Sequence, residues 1–184
     1  MVPRQFVIGL TGRARCGKNA ASTLLHQAIP GALEDSFAAP IREMACRILG
    51  ITLEKLEEVK DQVSPALGVT PRRMMQTLGT EWGRDIIHRD LWVLSLFERN
   101  QGVDVLIVPD VRFENEAAAI RACGGLIIHM HRPGNPSVEE HVSEAGVIRR
   151  DRDALILNSG SLEDLRQAAL NCMPDRIYWS ADKV

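Results

Sequence analysis

Gln5-Phe6-Val7-Ile8-Gly9-Leu10-Thr11 runs straight into Gly12-Arg13-Ala14-Arg15-Cys16-Gly17-Lys18-Asn19. The first stretch is short, apolar and ended by Gly12, the pattern of a buried strand. Residues 17–29 then carry Ala20, Ala21, Leu24, Leu25 and Ala28 on one helical face, closed by Pro30-Gly31. Between strand and helix, Gly12, Gly17 and Lys18 stand at the spacing G-x-x-x-x-G-K. Such glycines let successive backbone N–H groups turn inward toward an anion, and the helix that follows points its positive end at the same place. Strand, loop, lysine and helix in that order favour a phosphate-binding loop over a plain connecting turn. Asn19 stands where a Ser or Thr hydroxyl ordinarily ligates Mg²⁺, so an amide oxygen replaces the usual donor. Arg13 and Arg15 read equally as solvated surface residues and as extra positive charge over a nucleotide.

Outward from the loop, strands and helices alternate. Residues 32–37 read as a short second strand, and Pro40 suits the first turn of a helix over Ile41 to Leu49. Residues 52–61 read as a polar helix capped by Thr52. Pro71 opens a helical stretch that is expected to break around Gly79 and Gly83 and resume through Phe97. Val103 to Val108 is an apolar strand closed by Pro109-Asp110. Asn115 to Cys123 is a helix, Leu126 to Met130 a strand, Ala154 to Leu157 another, and Ser161 to Leu170 a capped helix with Asp164 in its first turn. This alternation predicts a parallel sheet of about five strands with helices on both faces. No repeat and no linker divides the chain.

The 184 residues suit one domain, with 45% hydrophobic and 25% charged residues, so disorder and low complexity are excluded. The net charge of -2 and 4% aromatics speak against a grip on a nucleic acid polymer. Four of the 22 basic residues are lysines and the rest are arginines, whose planar fork matches phosphate oxygens in pairs. Cys16, Cys46, Cys123 and Cys172 show no C-x-x-C pair and no zinc spacing, which reads as reduced thiols in the cytoplasm. No apolar run approaches the ~18 residues of a membrane span.

Three further stretches carry chemistry. Asp110, at the end of the Val105–Val108 run, stands where a carboxylate holds Mg²⁺ through water, and Arg112 could neutralise charge on a transferring phosphoryl group. Alone, Asp110 reads as a turn cap. Pro71 through Arg84 gathers Arg72, Arg73, Gln76, Thr80, Trp82 and Arg84; on a helix Gln76 shares a face with Arg72 and Arg73, a set able to hold a phosphate and read a base edge. Arg42 could point at that phosphate, and Trp92 is expected in the core. Residues 132–150 have lid character, with Arg132, Arg149 and Arg150 as clamp candidates. His141, Ser143 and Glu144 read as lid anchors, and His26, His88 and His129, lacking a partner pattern, as structural.

Gly12 to Asn19, Phe37-Ala38-Ala39-Pro40-Ile41-Arg42, Arg72 through Arg84, Asp110-Val111-Arg112-Phe113-Glu114-Asn115-Glu116, and His141-Val142-Ser143-Glu144 followed by Asn158 together resemble the phage-type deoxynucleoside monophosphate kinases, in the adenylate-kinase-like P-loop group. That family commonly carries an acidic or amide residue at the position of Asn19. The resemblance implies one P-loop kinase domain over 1–184, with an NMP-binding region about 38–100 and a lid about 132–150. It implies transfer of the ATP γ-phosphoryl group to a dNMP with Mg²⁺, in the cytoplasm, by a homodimer that engages neither membrane nor nucleic acid polymer. Gly12, Arg13, Arg15, Cys16, Gly17, Lys18, Asn19 and Asn158 are then expected at ATP. Arg42, Arg72, Arg73, Gln76, Thr80, Trp82, Asp110 and Glu144 are expected at the acceptor, and Asn19 and Asp110 at the metal. Lys18, Arg112 and Arg132 are expected in catalysis. The alternatives are a small-metabolite kinase of the same fold, of phosphomevalonate or dephospho-CoA type, and a nucleotide-binding switch without transfer activity. Residues 50–70 and 173–184 carry no motif.

Overall fold

The computed structural model describes residues 5–134, 146–175 and 177. Residues up to Ser36 together with those from Arg99 onward form one compact unit, and Phe37–Glu98 forms a second.

The first unit is built on a five-stranded sheet in the order β2-β3-β1-β4-β5, with every pairing parallel. Its strands are β1 (Phe6–Thr11), β2 (Leu33–Glu34), β3 (Val105–Val108), β4 (Leu126–His131) and β5 (Ala154–Leu157). The expected parallel α/β sheet is the one observed. β1 and β3 are buried along their whole length, as a central parallel strand covered on both faces must be. Phe6, Ile8 and Leu10 of β1 join one core cluster with Ala21 and Leu25 of α1 (Lys18–Ala28) and Leu165 and Ala169 of α7 (Leu162–Asn171). The alternate residues face α6 (Glu114–Ala122). There the chain needs Gly9, since a Cβ would come within 2.7 Å of Ile120 Cδ1 and 2.8 Å of Val111 Cγ2. Strand alternation therefore places α1 and α7 on one side of β1 and α6 on the other.

β2 is shorter than the stretch 32–37. Asp35 ends it: its carboxylate accepts from the Ser36 N–H at 2.7 Å, from Asn100 Nδ2 at 2.7 Å and from Arg99 Nη2 at 2.9 Å, a local bonding pattern that competes with a ladder. Ser161 caps α7 as expected, its Oγ accepting from the Asp164 N–H while the Asp164 carboxylate accepts from the Ser161 N–H at 2.8 Å.

The second unit holds α2 (Ala39–Leu49), α3 (Leu53–Val59), α4 (Pro71–Thr77), a π-helical run over Leu78–Ile87 and the start of α5 (Leu91–Arg99). Thr52 caps α3 by accepting from the Lys55 N–H. The expected break at Gly79 and Gly83 does not occur. The chain stays helical through both glycines in wide turns and ends only at His88, whose N–H donates to the Gly83 carbonyl at 3.0 Å. The cause is Trp92. Its Nε1 donates to the Gly79 carbonyl at 2.8 Å, and Arg84 Nη1 donates to the same oxygen at 3.0 Å. A Cβ on Gly83 would lie 2.4 Å from the Trp92 ring, so the glycine marks a close approach rather than a turn.

Candidate functional site

The loop after β1 takes the backbone form its glycines predict. Gly12 has φ +140° and Gly17 has φ +102°, a region closed to most side chains, and between them Arg15 lies at φ +60°. Lys18 opens α1 and folds back over the loop, its Nζ donating to the carbonyls of Gly12 at 2.6 Å and Arg13 at 2.9 Å. Those carbonyls hold the ammonium where an anion in the loop would meet it. Cys16 is buried in the core, and its Sγ accepts from Lys18 Nζ at 3.8 Å. Asn158, just past β5, is buried and donates from Nδ2 to the Cys16 carbonyl at 3.0 Å, while its own N–H donates to the His131 carbonyl at 2.7 Å. Asn158 thus ties the loop to the ends of β4 and β5.

A cavity of about 240 Å³ opens over the loop. Gly12, Arg13, Lys18 and Arg112 line it among the expected residues, joined by Thr11, Val111, His129, Gly146 and Val147, which the sequence reading did not place there. Arg15, Cys16, Gly17, Asn19, Asp110, Arg132 and Asn158 are not among its lining residues. The turn after β3 is fixed from both sides. The Val111 N–H donates to the Leu10 carbonyl at 3.1 Å, and the buried Glu116 carboxylate accepts from the N–H groups of Arg112 at 2.8 Å and Phe113 at 3.0 Å. Glu116 was legible as an acidic residue in the first helical turn three places after Phe113, although no role follows from that pattern alone.

His129 lacked a partner pattern in the sequence. In the structure its Nε2 lies 3.1 Å from Asp153 Oδ2, and Asp153 also takes both forks of Arg121, at 3.1 and 2.6 Å. Burial pulls the Asp153 carboxyl upward, but the hydrogen bonds from Arg121, the Arg150 N–H and His129 outweigh it, and the group titrates below the usual range. Glu114 is likewise held low: burial opposes, and the Arg150 side chain, the Ile148 N–H and Arg121 prevail.

The remaining expected residues belong to the second unit. Arg42 Nε lies 3.9 Å from Glu57, Arg72 makes a two-pronged pair with Asp61 at 2.5 and 3.1 Å, and Arg73 lies 3.8 Å from Glu81. The Lys60 hydrogen bond holds the Glu57 carboxyl below its usual range against some burial, and Arg42 and Arg72 add to the effect. Trp92 is buried, as expected, while Trp82 is 40% exposed, with ring centroids 6.4 Å apart. Gln76 and Thr80 are half-buried. His141, Ser143 and Glu144 lie outside the described residues. Among the described residues, no three His, Cys, Asp or Glu side chains gather as a metal cage, and no helix is long and apolar enough to cross a membrane.

Comparison with known proteins bears on this arrangement. The deoxynucleotide monophosphate kinase of Enterobacteria phage T4 is 39% identical over 120 residues, which cover 62% of this chain and 49% of the phage protein. The chain therefore spans about half the length of that relative. A protein of Acanthamoeba polyphaga mimivirus is 29% identical over 186 residues, covering 91% of this chain and 95% of its own. The crystal structure of TT1252 from Thermus thermophilus shares the fold, with a TM-score of 0.50 over 98% of both chains at 16% identity. A family model described as deoxynucleotide monophosphate kinase matches residues 48–169. That span begins after the phosphate-binding loop and takes in the arginines of α4, the turn from Asp110 to Arg112 and most of α7; the chain belongs to the deoxynucleotide monophosphate kinase family.

Proposed function

We propose that the chain transfers the γ-phosphoryl group of ATP to a deoxynucleoside 5′-monophosphate, giving ADP and a dNDP for DNA synthesis. An ionised oxygen of the acceptor phosphate attacks the γ-phosphorus, and the bond to the β–γ bridging oxygen breaks, leaving on ADP. The acceptor oxygen is already anionic, so no strong base is needed, and the protein's work is positioning and charge neutralisation.

The observation that carries this reading is the cavity over the loop, which Gly12, Arg13, Lys18 and Arg112 line together. Its volume of about 240 Å³ is below the roughly 300–1,000 Å³ of a pocket enclosing a whole small molecule, and it suits the polyphosphate of a nucleotide. In this reading the loop amides of Gly12 to Asn19 and Lys18 hold ATP, braced by Asn158. Arg112 and Arg132 neutralise the transferring group. The unit Phe37–Glu98 is the NMP-binding region, with Arg42, Arg72 and Arg73 for the acceptor phosphate and Gln76, Thr80 and Trp82 for the base. The carboxylates beside those arginines do not contradict this. Exposed ion pairs are worth about 0–1 kcal/mol, so a phosphate dianion can displace them.

Asp110 and Asn19 offer hard oxygen donors, which fits Mg²⁺, an ion that keeps several waters and leans on substrate phosphates for the rest of its shell. Bound with the nucleotide, Mg²⁺ neutralises charge on the phosphate oxygens. The proposal includes the cytoplasm as site of action and a homodimeric assembly.

ADP release measured across the four dNMPs, phosphomevalonate and dephospho-CoA tests the substrate class. Turnover with dNMPs alone is expected. Lys18→Ala should lower it by roughly 10²–10³-fold or more with the fold intact by circular dichroism; near-normal turnover in that variant overturns the reading.

A further inference from the structure

The segment that returns to β5, Gly146 to Asp153, is fastened by a single ion network. Asp153 has a side chain only 2% exposed and accepts from four groups: Arg121 Nε and Nη2, the Arg150 N–H at 2.9 Å, and His129 Nε2. Arg121 continues the network, donating from Nη1 to Glu114 Oε1 at 2.9 Å and from Nη2 to the Ile148 carbonyl at 2.9 Å. Arg150 Nη2 donates to the same Glu114 oxygen at 2.7 Å, and the Ile148 N–H donates to Glu114 Oε2 at 3.3 Å. Burying a carboxylate is costly unless each acceptor site is filled, so a network this complete asks for a reason.

Its members lead back to the cavity over the loop. His129 is itself a lining residue and is held directly by Asp153. Gly146 and Val147 are lining residues, and the next residue, Ile148, is bonded through both its N–H and its carbonyl. Arg112 is a lining residue two places before Glu114. Three stretches distant in sequence reach one wall, and one set of charges registers them. The two carboxylates and two guanidinium groups also cancel, so the network adds no net charge beside an anion.

We propose that Glu114, Arg121 and Asp153 are positioning residues for the ATP polyphosphate: they set His129 and Gly146–Val147 against the phosphate-binding loop before the nucleotide arrives. None of the three lines the cavity. This rests on the reading of that cavity as the ATP site. A wall set in advance lowers the ordering cost of binding, so disturbing it weakens binding of ATP more than it slows transfer.

The sign of the change separates positioning from charge. Asp153→Asn removes a negative charge near the anion site, which by electrostatics alone strengthens ATP binding. Misplacement does the reverse. Steady-state kinetics on the full chain should show KM for ATP rising about ten- to a hundred-fold, with KM for the dNMP unchanged and kcat within about threefold. Glu114→Gln, at a half-exposed residue, should move KM for ATP in the same direction and remains informative if Asp153→Asn fails to fold. Ala169→Gly in α7 supplies the comparison, since it should lower Tm without moving KM for ATP. Unchanged or lower KM for ATP in folded Asp153→Asn and Glu114→Gln overturns the positioning role. A parent chain without turnover on any dNMP overturns the kinase reading and this inference with it.

Discussion

Asn158→Asp is the change that most sharply tests how the phosphate-binding loop is held. The two side chains have the same shape, and what differs is a donor. Asn158 is 9% exposed, and its Nδ2 gives the Cys16 carbonyl a hydrogen bond of 3.0 Å. A carbonyl can only accept, so the amide nitrogen must face it; an aspartate there puts oxygen against oxygen. Leaving a buried acceptor unpaired costs about 1–3 kcal/mol, and the new charge adds to that. For a chain of this length each kcal/mol moves Tm by about 2–4 °C, so a fall of roughly 2–12 °C is expected. The functional loss follows from the same contact. With its brace gone, the loop between Gly12 and Gly17 must be ordered by whatever binds it, and the new carboxylate puts a negative charge against the loop's backbone. KM for ATP should therefore rise about ten- to a hundred-fold. Differential scanning calorimetry and titration with ATP measure the two effects on one preparation. A variant whose Tm stays within about 1 °C and whose ATP affinity is unaltered refutes the reasoning, because the bond would then be worth nothing to loop or ligand. The site also explains why Gly17 admits no substitute: a Cβ would lie 2.3 Å from that same Nδ2, at φ +102°.

Two further expectations concern stability. Helix propensity alone makes Gly83→Ala stabilising by about 1 kcal/mol, but a Cβ 2.4 Å from Trp92 Cζ2 and 2.9 Å from the Leu78 carbonyl reverses the sign, to a loss of about 1–3 kcal/mol. Urea unfolding decides it, and a double-mutant cycle with Trp92→Leu should recover part of the loss; a more stable Gly83→Ala variant refutes the packing account. The pH dependence draws on Asp153 and Glu114, and on Glu57, all held below the ordinary carboxylate range. A group depressed in the folded state contributes fully above its unfolded value, about 3.9 for Asp and 4.3 for Glu, and loses that contribution as pH falls through the folded one. Tm should therefore be level down to about pH 5 and fall below about pH 4. Asp153→Asn should flatten that acid limb, and an identical limb in the variant counts against the ion network as its source.

Local chemistry made much of this legible in advance. The apolar runs of β1 and β3 and the glycine and lysine spacing of the loop declare themselves because each depends on neighbours within one turn or one strand. The cap pairs Thr52 with Lys55 and Ser161 with Asp164 do so for the same reason. β2 came out shorter because Asp35 is claimed by Arg99 and Asn100, 64 and 65 residues away. The helix ran through Gly79 and Gly83 because Trp92 fills the space beside Gly83 and donates to the Gly79 carbonyl, so neither glycine acts as a breaker. The His129–Asp153 contact spans 24 residues, from β4 to the residue just before β5, so no spacing rule could propose it.

These misses share a cause. In each, a residue whose local preference is weak or adverse is fixed by a partner that only the folded chain brings near. That is also how the candidate site is divided. Gly12, Gly17 and Lys18 form the loop from a contiguous stretch, and sequence announces them. The wall facing that loop is assembled from β4, the turn before α6 and the return to β5, and it is held by Asp153 and Arg121, which no motif marks. A loop built of glycine amides binds phosphate in many settings. The features peculiar to this chain should therefore be sought in the assembled wall, where substitutions are predicted to separate affinity for ATP from the rate of transfer.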